Sequence, residues 1–592
     1  MSARFLILLA AAAWVPAAAA SGAGKTAPWN YTVAFKGVDD PELAAALEAA
    51  SETAGRTGHP PLTLGMLKRR VENDAETLQK VLRAQGYFAA GIGSEIDPTR
   101  RPLRVVFRIR TGKRFRLGEI AVEAAGAELQ LPSPRELGLI PGDPARSAAV
   151  IEGRRRLLES AARSGFPLAE IAGEEVTVDH ATGLMNVSFR LDPGPEARFG
   201  TASVAGIDSV EERFVLEKIS WREGDRFDPR ALEELRKELV ETGLFSLVRV
   251  GYPRRLDAEG RLPVTIEVQE RKHRTIKIGA GYRTDIGPEA KFSWEDRNIF
   301  GSGERLGLDA AVSPIEYAAA SWLRIPDFLR RRQTLNLGAE VGRDEPDAYT
   351  SDRVEVSAIV ERVIGPTFLV GGGAGAKAAR VRQLGTTDRY LLIMMPLYAE
   401  WDTTNDLLDA DRGWRLRFQI SPNLDPVDTG TRFLQGLVSC NRYLRIFSAP
   451  DLTAAARAAV GATLGPGVFS IPADERFYAG GGGSVRGYAY QSAGPLSADD
   501  TPEGGKSLAE VNLELRWRIV PAFGAVAFLD GGTAFTRSYP DFGEQSLLWG
   551  AGLGVRYFSP VGPFRLDGAV PLNRRKGVDD AFQIYISLGQ AF

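Results

Sequence analysis

Two patterns of apolar and polar positions divide the chain near Arg274. Before it, apolar residues recur at helical spacing between short alternating runs. Leu232, Leu235 and Leu239 lie at i, i+3 and i+7, one face of a helix, with Asp228 placed to cap it and Pro229 at its first position. Ser133, Pro134 and Glu136 have capping-box spacing and predict another helix start. Val105–Arg110 and Val264–Val268 read as strands. After Arg274 a period of two takes over. In Glu510–Ile519, Val511, Leu513, Leu515, Trp517 and Ile519 share one face, and Glu510, Asn512, Glu514, Arg516 and Arg518 share the other. Such a strand hides its apolar face in a core or in lipid, and alternation alone does not say which.

The first half repeats. A glycine followed by an aromatic or apolar pair ends a helical stretch at Gly86-Tyr87-Phe88, Gly165-Phe166-Pro167 and Gly243-Leu244-Phe245. Gly142-Asp143 recurs as Gly224-Asp225, and Arg116-Leu117-Gly118 as Arg198-Phe199-Gly200, both 82 residues apart. Three landmarks with nearly one period predict three units, each read as strand, helix, helix, strand, strand, over 29–112, 113–195 and 196–271. An α+β unit of about 80 residues just holds a core of its own. No constellation for catalysis occurs in them, and their edge strands suit β-augmentation.

About sixteen alternating segments follow between 274 and 592, with 389–402 read as one strand. The count is even, and many reach the roughly 9 to 11 residues that a tilted strand needs to cross a bilayer. Aromatics sit near segment ends at Tyr282, Trp294, Trp401, Trp414 and Tyr557, as in interfacial girdles. The expected fold is therefore three α+β units followed by an all-β antiparallel transmembrane barrel over 272–592. Closure joins the first strand, with Ile276, Ile278, Gly279 and Gly281, to the last, with Ile584, Ile586, Leu588 and Phe592. That seam leaves no edge facing lipid.

Composition narrows the reading. Net charge is −2, which gives no pull toward nucleic acid. The single cysteine, Cys440, forbids an intramolecular disulfide, and His59, His180 and His273 are too scattered to suggest a metal site. Arg4, the apolar run Phe5–Val15 and Ala18-Ala19-Ala20 read as a signal peptide over 1–20. Gly504-Gly505-Lys506-Ser507 resembles the tail of a phosphate loop, but Asp500 stands where that motif needs glycine and a strand follows. No enzyme and no cofactor is expected.

One connection, roughly 466–506, is too long to be a simple turn. It carries Arg476-Phe477-Tyr478-Ala479, a glycine run, and Val485-Arg486-Gly487-Tyr488. The later strand carries Phe528, Asp530 and Gly532, and periodicity does not say whether Asp530 faces inward. With these motifs the chain resembles the BamA/TamA superfamily of outer-membrane assembly proteins, the bacterial surface antigen family, most closely its TamA branch. Glu514, Gly281–Pro288 and Ser559–Pro563 fit the same resemblance.

The resemblance implies three POTRA units in the periplasm and a sixteen-stranded barrel in the outer membrane. It implies a sixth extracellular loop folded into the lumen, with Arg486 meeting Asp530 and Glu514. It also implies assistance to the assembly of β-barrel or autotransporter proteins at the seam, with unfolded outer-membrane proteins as clients and the bilayer as medium. A TamB-like inner-membrane-anchored periplasmic protein would meet the first unit. A secretion pore or phospholipid-transport conduit is the alternative within the superfamily.

Overall fold

The computed structural model describes residues 29–592 apart from 126–128, 285, 428–429, 560–561, 589 and 591–592. The expected signal peptide and Phe592 lie outside the described residues. The chain divides into two compact units: one comprises the residues up to 203, 220–235 and 250–265, the other 204–219, 236–249 and 266–592.

The first module contains β1 (Tyr31–Lys36), α1 (Pro41–Ala50), α2 (Glu52–Gly55), α3 (Leu64–Ala84), β2 (Gly91–Asp97) and β3 (Leu103–Arg110). Its sheet order is β1-β3-β2, with β1 parallel to β3. Asp40 caps α1 by accepting the amides of Glu42 and Leu43. Leu67, Val71, Leu78 and Leu82 form one face of α3 and pack with Leu103, Val105, Phe107 and Ile109, alternate residues of β3. The second module holds β4 (Arg116–Ala124), α4 (Ser147–Arg163), β5 (Glu170–Asp179) and β6 (Leu184–Asp192), ordered β4-β6-β5. Its expected first helix is only a turn. The capping box forms, with Ser133 N donating to Glu136 Oε2 at 2.7 Å, but Gly138 at φ 75° ends the turn at once. The third module holds β7 (Phe199–Ala205), α5 (Glu212–Glu217), α6 (Pro229–Glu241), β8 (Phe245–Gly251) and β9 (Leu262–Glu270), ordered β7-β9-β8. Leu232, Leu235 and Leu239 are buried as the helical spacing requires.

The repeated landmarks meet where one module follows another. Phe115 N donates to Gly86 O at 2.9 Å, Ala145 N to Phe115 O at 3.0 Å and Leu117 N to Asp143 O at 2.8 Å. One period later, Ala197 N donates to Gly165 O at 2.9 Å, Phe227 N to Ala197 O at 3.1 Å and Phe199 N to Asp225 O at 2.8 Å. The period thus encodes a splice of backbone hydrogen bonds. Gly86 adopts φ 91°, and a β-carbon there would sit 3.1 Å from Ala145 O.

The barrel strands are β10 (Arg274–Arg283), β11 (Gly287–Asp296), β12 (Arg305–Ser313), β13 (Glu316–Ile325), β14 (Gln333–Asp344), β15 (Thr350–Ile364), β16 (Phe368–Gln383), β17 (Thr386–Met394), β18 (Leu397–Asp402), β19 (Gly413–Leu424), β20 (Arg432–Ser448), β21 (Asp451–Leu464), β22 (Ser507–Val520), β23 (Phe523–Phe535), β24 (Leu548–Ser559), β25 (Gly562–Pro571) and β26 (Gln583–Leu588). They pair antiparallel into a closed barrel. β17 and β18 are one stave, both pairing with β16 and β19, so the barrel has sixteen staves. The single strand expected over 389–402 is broken at Met395-Pro396, because proline has no amide to give the ladder.

Closure settles what alternation left open. On β22, Leu513, Leu515, Trp517 and Ile519 face outward and are exposed, whereas Glu510, Asn512, Glu514 and Arg516 are buried in the lumen. An exterior this apolar is a lipid-facing wall. Tyr282, Trp401, Trp414 and Tyr557 are exposed near strand ends. The turns 297–304 and 326–332 mark the end of the barrel nearest the third module. There Glu211 N donates to Gly301 O at 2.8 Å, and Arg331 Nη2 donates to Lys218 O at 2.8 Å and pairs with Glu238.

Candidate functional site

The connection between β21 and β22 enters the lumen instead of standing free. Lys506, the residue of the false phosphate-loop motif, closes its neck by donating to Gly465 O and Pro466 O at 3.1 and 2.6 Å. At the tip, Val485 and Tyr488 pack with Ala479, Ala493 and Leu508. Arg486 is 1% exposed. Its Nε donates to Asp530 Oδ2 at 2.6 Å and Nη2 to Asp530 Oδ1 at 3.0 Å, a two-pronged clasp. Nη1 is 2.7 Å from Glu514 Oε1 and donates to Asp567 Oδ2 at 3.1 Å. The guanidinium carbon lies 3.5 Å from the centre of the Phe528 ring. Burial works against the arginine's charge, but the Asp530 hydrogen bonds and the charges of Glu514, Asp530 and Asp567 outweigh it and raise its pKa.

Glycines make the docking possible. Gly487 has φ 102°, and a β-carbon there would meet the Val570 carbonyl carbon at 2.9 Å. A β-carbon on Gly532 would meet Val485 Cγ2 at 2.8 Å. The structure therefore brings Val485, Arg486, Gly487, Tyr488, Glu514, Phe528, Asp530 and Gly532 into one constellation. Phe528 and Asp530 share the lumenal side of β23, which periodicity had not decided.

Sequence reasoning missed Asp567, Tyr585 and Arg556. The Tyr585 hydroxyl accepts from Gly487 N at 3.1 Å and donates to Tyr488 O at 3.3 Å, tying the loop tip to the last strand. Alternation in Gln583–Leu588 opposes Tyr585 to the Ile584 and Ile586 face, and that was the available signal. Arg556 pairs with Asp567, and its Nε donates to Gln590 Oε1 at 3.0 Å. Gln590 Nε2 then donates to Asp409 Oδ1 at 2.9 Å, and Arg518 Nη2 to Asp409 Oδ2 at 3.1 Å. Asp409 belongs to the connection 403–412 at the module end of the barrel. A polar chain thus runs from the loop tip through the lumen to that connection.

The loop has a second anchor on the far wall. Lys377 Nζ lies 2.8 Å from Asp474 Oδ2 and 2.6 Å from Glu475 Oε1. Asp474 also accepts from Ser351 Oγ at 2.9 Å and Tyr390 OH at 2.5 Å. Arg476 Nη1 donates to Gln383 Oε1 at 2.8 Å. Strands β15–β17 on one side and β22–β26 on the other hold the loop as a strap across the lumen.

Among the described residues the seam is the sparsest junction of the barrel. β10 forms ten register pairs with β11 but two with β26 among the described residues, Tyr282↔Ile586 and Arg283↔Tyr585. Thr284 N adds a bond to Ile584 O at 3.1 Å. Of the expected seam residues, Ile584 and Ile586 meet the first strand. Leu588 pairs with Phe564 of β25, and among the described residues Ile276, Ile278, Gly279 and Gly281 have no register partner on β26. Ile276 and Ile278 are 65% and 82% exposed. Among the described residues a β-carbon at Gly279 or Gly281 would have no neighbour closer than 3.8 Å. Among the described residues no cluster of side chains suited to a metal occurs.

A lipid-facing closed barrel, a strapped lumen and a chain of α+β modules define a class: the outer-membrane β-barrel with periplasmic POTRA-type modules. Within that class, residues 298–592 match the model of the Omp85 superfamily domain. The outer membrane protein assembly factor BamA of Nitratidesulfovibrio vulgaris is 23% identical over 553 residues, covering 89% of this chain and 69% of the relative. BamA of Neisseria meningitidis serogroup B is 22% identical over 595 residues, covering 89% of this chain and 73% of the relative. The crystal structure of BamA from Haemophilus ducreyi lacking POTRA domains 1–3 superposes with a TM-score of 0.70 at 16% identity, covering 80% of this chain and 99% of that one. The fold is shared with that structure.

Proposed function

We propose that this protein assists the insertion of β-barrel or autotransporter proteins into the outer membrane, and that clients engage it at the seam between β10 and β26. The two-pair junction carries this reading. Below Tyr282, among the described residues, the first strand presents backbone groups without a register partner on β26, and an incoming client strand satisfies them by β-augmentation. No nucleotide site is needed, because client folding itself supplies the driving force. The module tally fits the TamA branch, with 29–112, 113–195 and 196–271 as the three periplasmic domains. On that reading the first module meets a TamB-like periplasmic partner.

The test pins the seam. Tyr282→Cys and Ile586→Cys are combined in a Cys440→Ser background, and insertion of a urea-unfolded outer-membrane protein into proteoliposomes is followed. Oxidation is expected to stop insertion and reduction to restore it. Insertion that continues at the wild-type rate with the disulfide formed refutes a seam route. A conduit for secreted protein or phospholipid is the competing role, and the two anchors of the strap argue against a standing open lumen.

A further inference from the structure

The barrel carries a row of charges on its outer wall that neither the loop nor the seam uses. Cross-strand register aligns Tyr317 (β13), Arg343 (β14), Asp352 (β15), Arg380 (β16) and Arg389 (β17) at one height. All five point away from the lumen, because their neighbours Ser351, Arg353, Ala379, Val381 and Tyr390 alternate inward. Arg382 lies two residues beyond Arg380 on the same face. One step toward the barrel's middle the outward row becomes apolar, with Val341, Val354, Ala378 and Leu391 in register. The charges therefore stand at the edge of the lipid-facing band. That edge is opposite the module end, since the short turns 345–349 and 384–385 lie above it while 297–304 and 326–332 lie with the third module. With the modules in the periplasm, it faces the outer leaflet.

The row is electrostatically incomplete. Arg343 Nε is satisfied by Glu345 Oε1 at 2.7 Å and Asp352 Oδ1 at 3.4 Å. Arg380 and Arg389 stand directly opposite each other, a like-charge cross-strand pair that is destabilising without a counterion. Neither they nor Arg382 have a carboxylate partner among the described residues. Both Arg380 and Arg389 are exposed. Arginine at a membrane boundary is suited to phosphate, which takes its planar fork through two oxygens.

We propose that Arg380 and Arg389, assisted by Arg382, form a binding site for the phosphate of an outer-leaflet lipid headgroup. The acyl chains of that lipid lie along the apolar strip beneath, and Tyr317 marks its interfacial level. The site holds the barrel at a fixed depth on the wall far from the seam in strand order.

The experiment uses the full chain in detergent with three probes: bisphosphorylated lipid A, monophosphorylated lipid A and inorganic phosphate. Affinities are compared for wild type, R380Q/R389Q and R380K/R389K, with a heat-modifiable gel shift confirming that each barrel is folded. Wild type is expected to bind bisphosphorylated lipid A best. R380Q/R389Q is expected to lose about thirtyfold, at about fivefold per basic residue at an anionic lipid surface, and the lysine pair to retain most of the binding. Equal affinity of wild type and R380Q/R389Q overturns the site. Inorganic phosphate binding as tightly as lipid A overturns the lipid headgroup as its ligand.

Discussion

Arg486 concentrates the chemistry of the lumen in one side chain. Three carboxylates and an aromatic face surround a guanidinium with almost no solvent contact. A charge so enclosed is tolerable only while its partners stay in place, and breaking such a pair costs about 3–5 kcal/mol. Arg486→Ala is expected to lower the fraction of heat-modifiable folded barrel and to shift its urea midpoint downward. Arg486→Lys falls between, since an ammonium lacks the fork that spans both oxygens of Asp530. Identical midpoints for wild type and Arg486→Ala would show that the clasp carries no weight. The partner Asp530 was visible in the sequence only through family resemblance. Asp567 was invisible because it is 81 residues from Arg486 and nothing local marks it.

At the scale of elements, the strap between β21 and β22 and the connection 403–412 fill the lumen from opposite ends. The strap needs both anchors, because a loop tied at one wall leaves its glycine-rich remainder free to swing. Lys377 is 8% exposed in its side chain, and its carboxylate partners Asp474 and Glu475 are 3% and 13% exposed. Lys377→Met strands two buried acids and is expected to release the far anchor, seen as larger and noisier single-channel conductance in planar bilayers. Adding Asp474→Asn and Glu475→Gln to it should quiet the channel again, since no unpaired charge then remains. Unchanged conductance of the single variant would mean that the tip clasp alone holds the strap. The strands themselves were legible as alternating runs, down to the start of β21 within a residue or so. The break in the β17–β18 stave was foreseeable from Pro396, which the alternating pattern masked.

At the scale of the molecule, backbone splices link successive modules, and a partly buried carboxylate closes the third one. Glu270 ends β9 and accepts the amides of Asp208, Ser209 and Val210 at 2.7, 2.9 and 2.9 Å, next to the Glu211 amide that bonds the first barrel turn. Burial pushes its pKa up, but these hydrogen bonds and those from Ser209 and His273 prevail and bring it down to about 2. The folded value lies below the unfolded one, so this contribution is complete above about pH 4.5 and is lost as pH falls toward about 2. A spin label at exposed position 212 is expected to gain mobility through that window in the wild type, and to be mobile already at neutral pH in Glu270→Gln. Profiles that coincide would dismiss the coupling. The sequence by itself determined the module repeat, the alternation of the barrel wall and the long loop with its arginine, because these are periodic or local properties of the chain. Only the tertiary structure decided which face of each strand meets lipid, which acids close on Arg486 and which residues pair across the barrel closure. Those depend on ring closure and register between strands far apart in sequence, which no local pattern encodes.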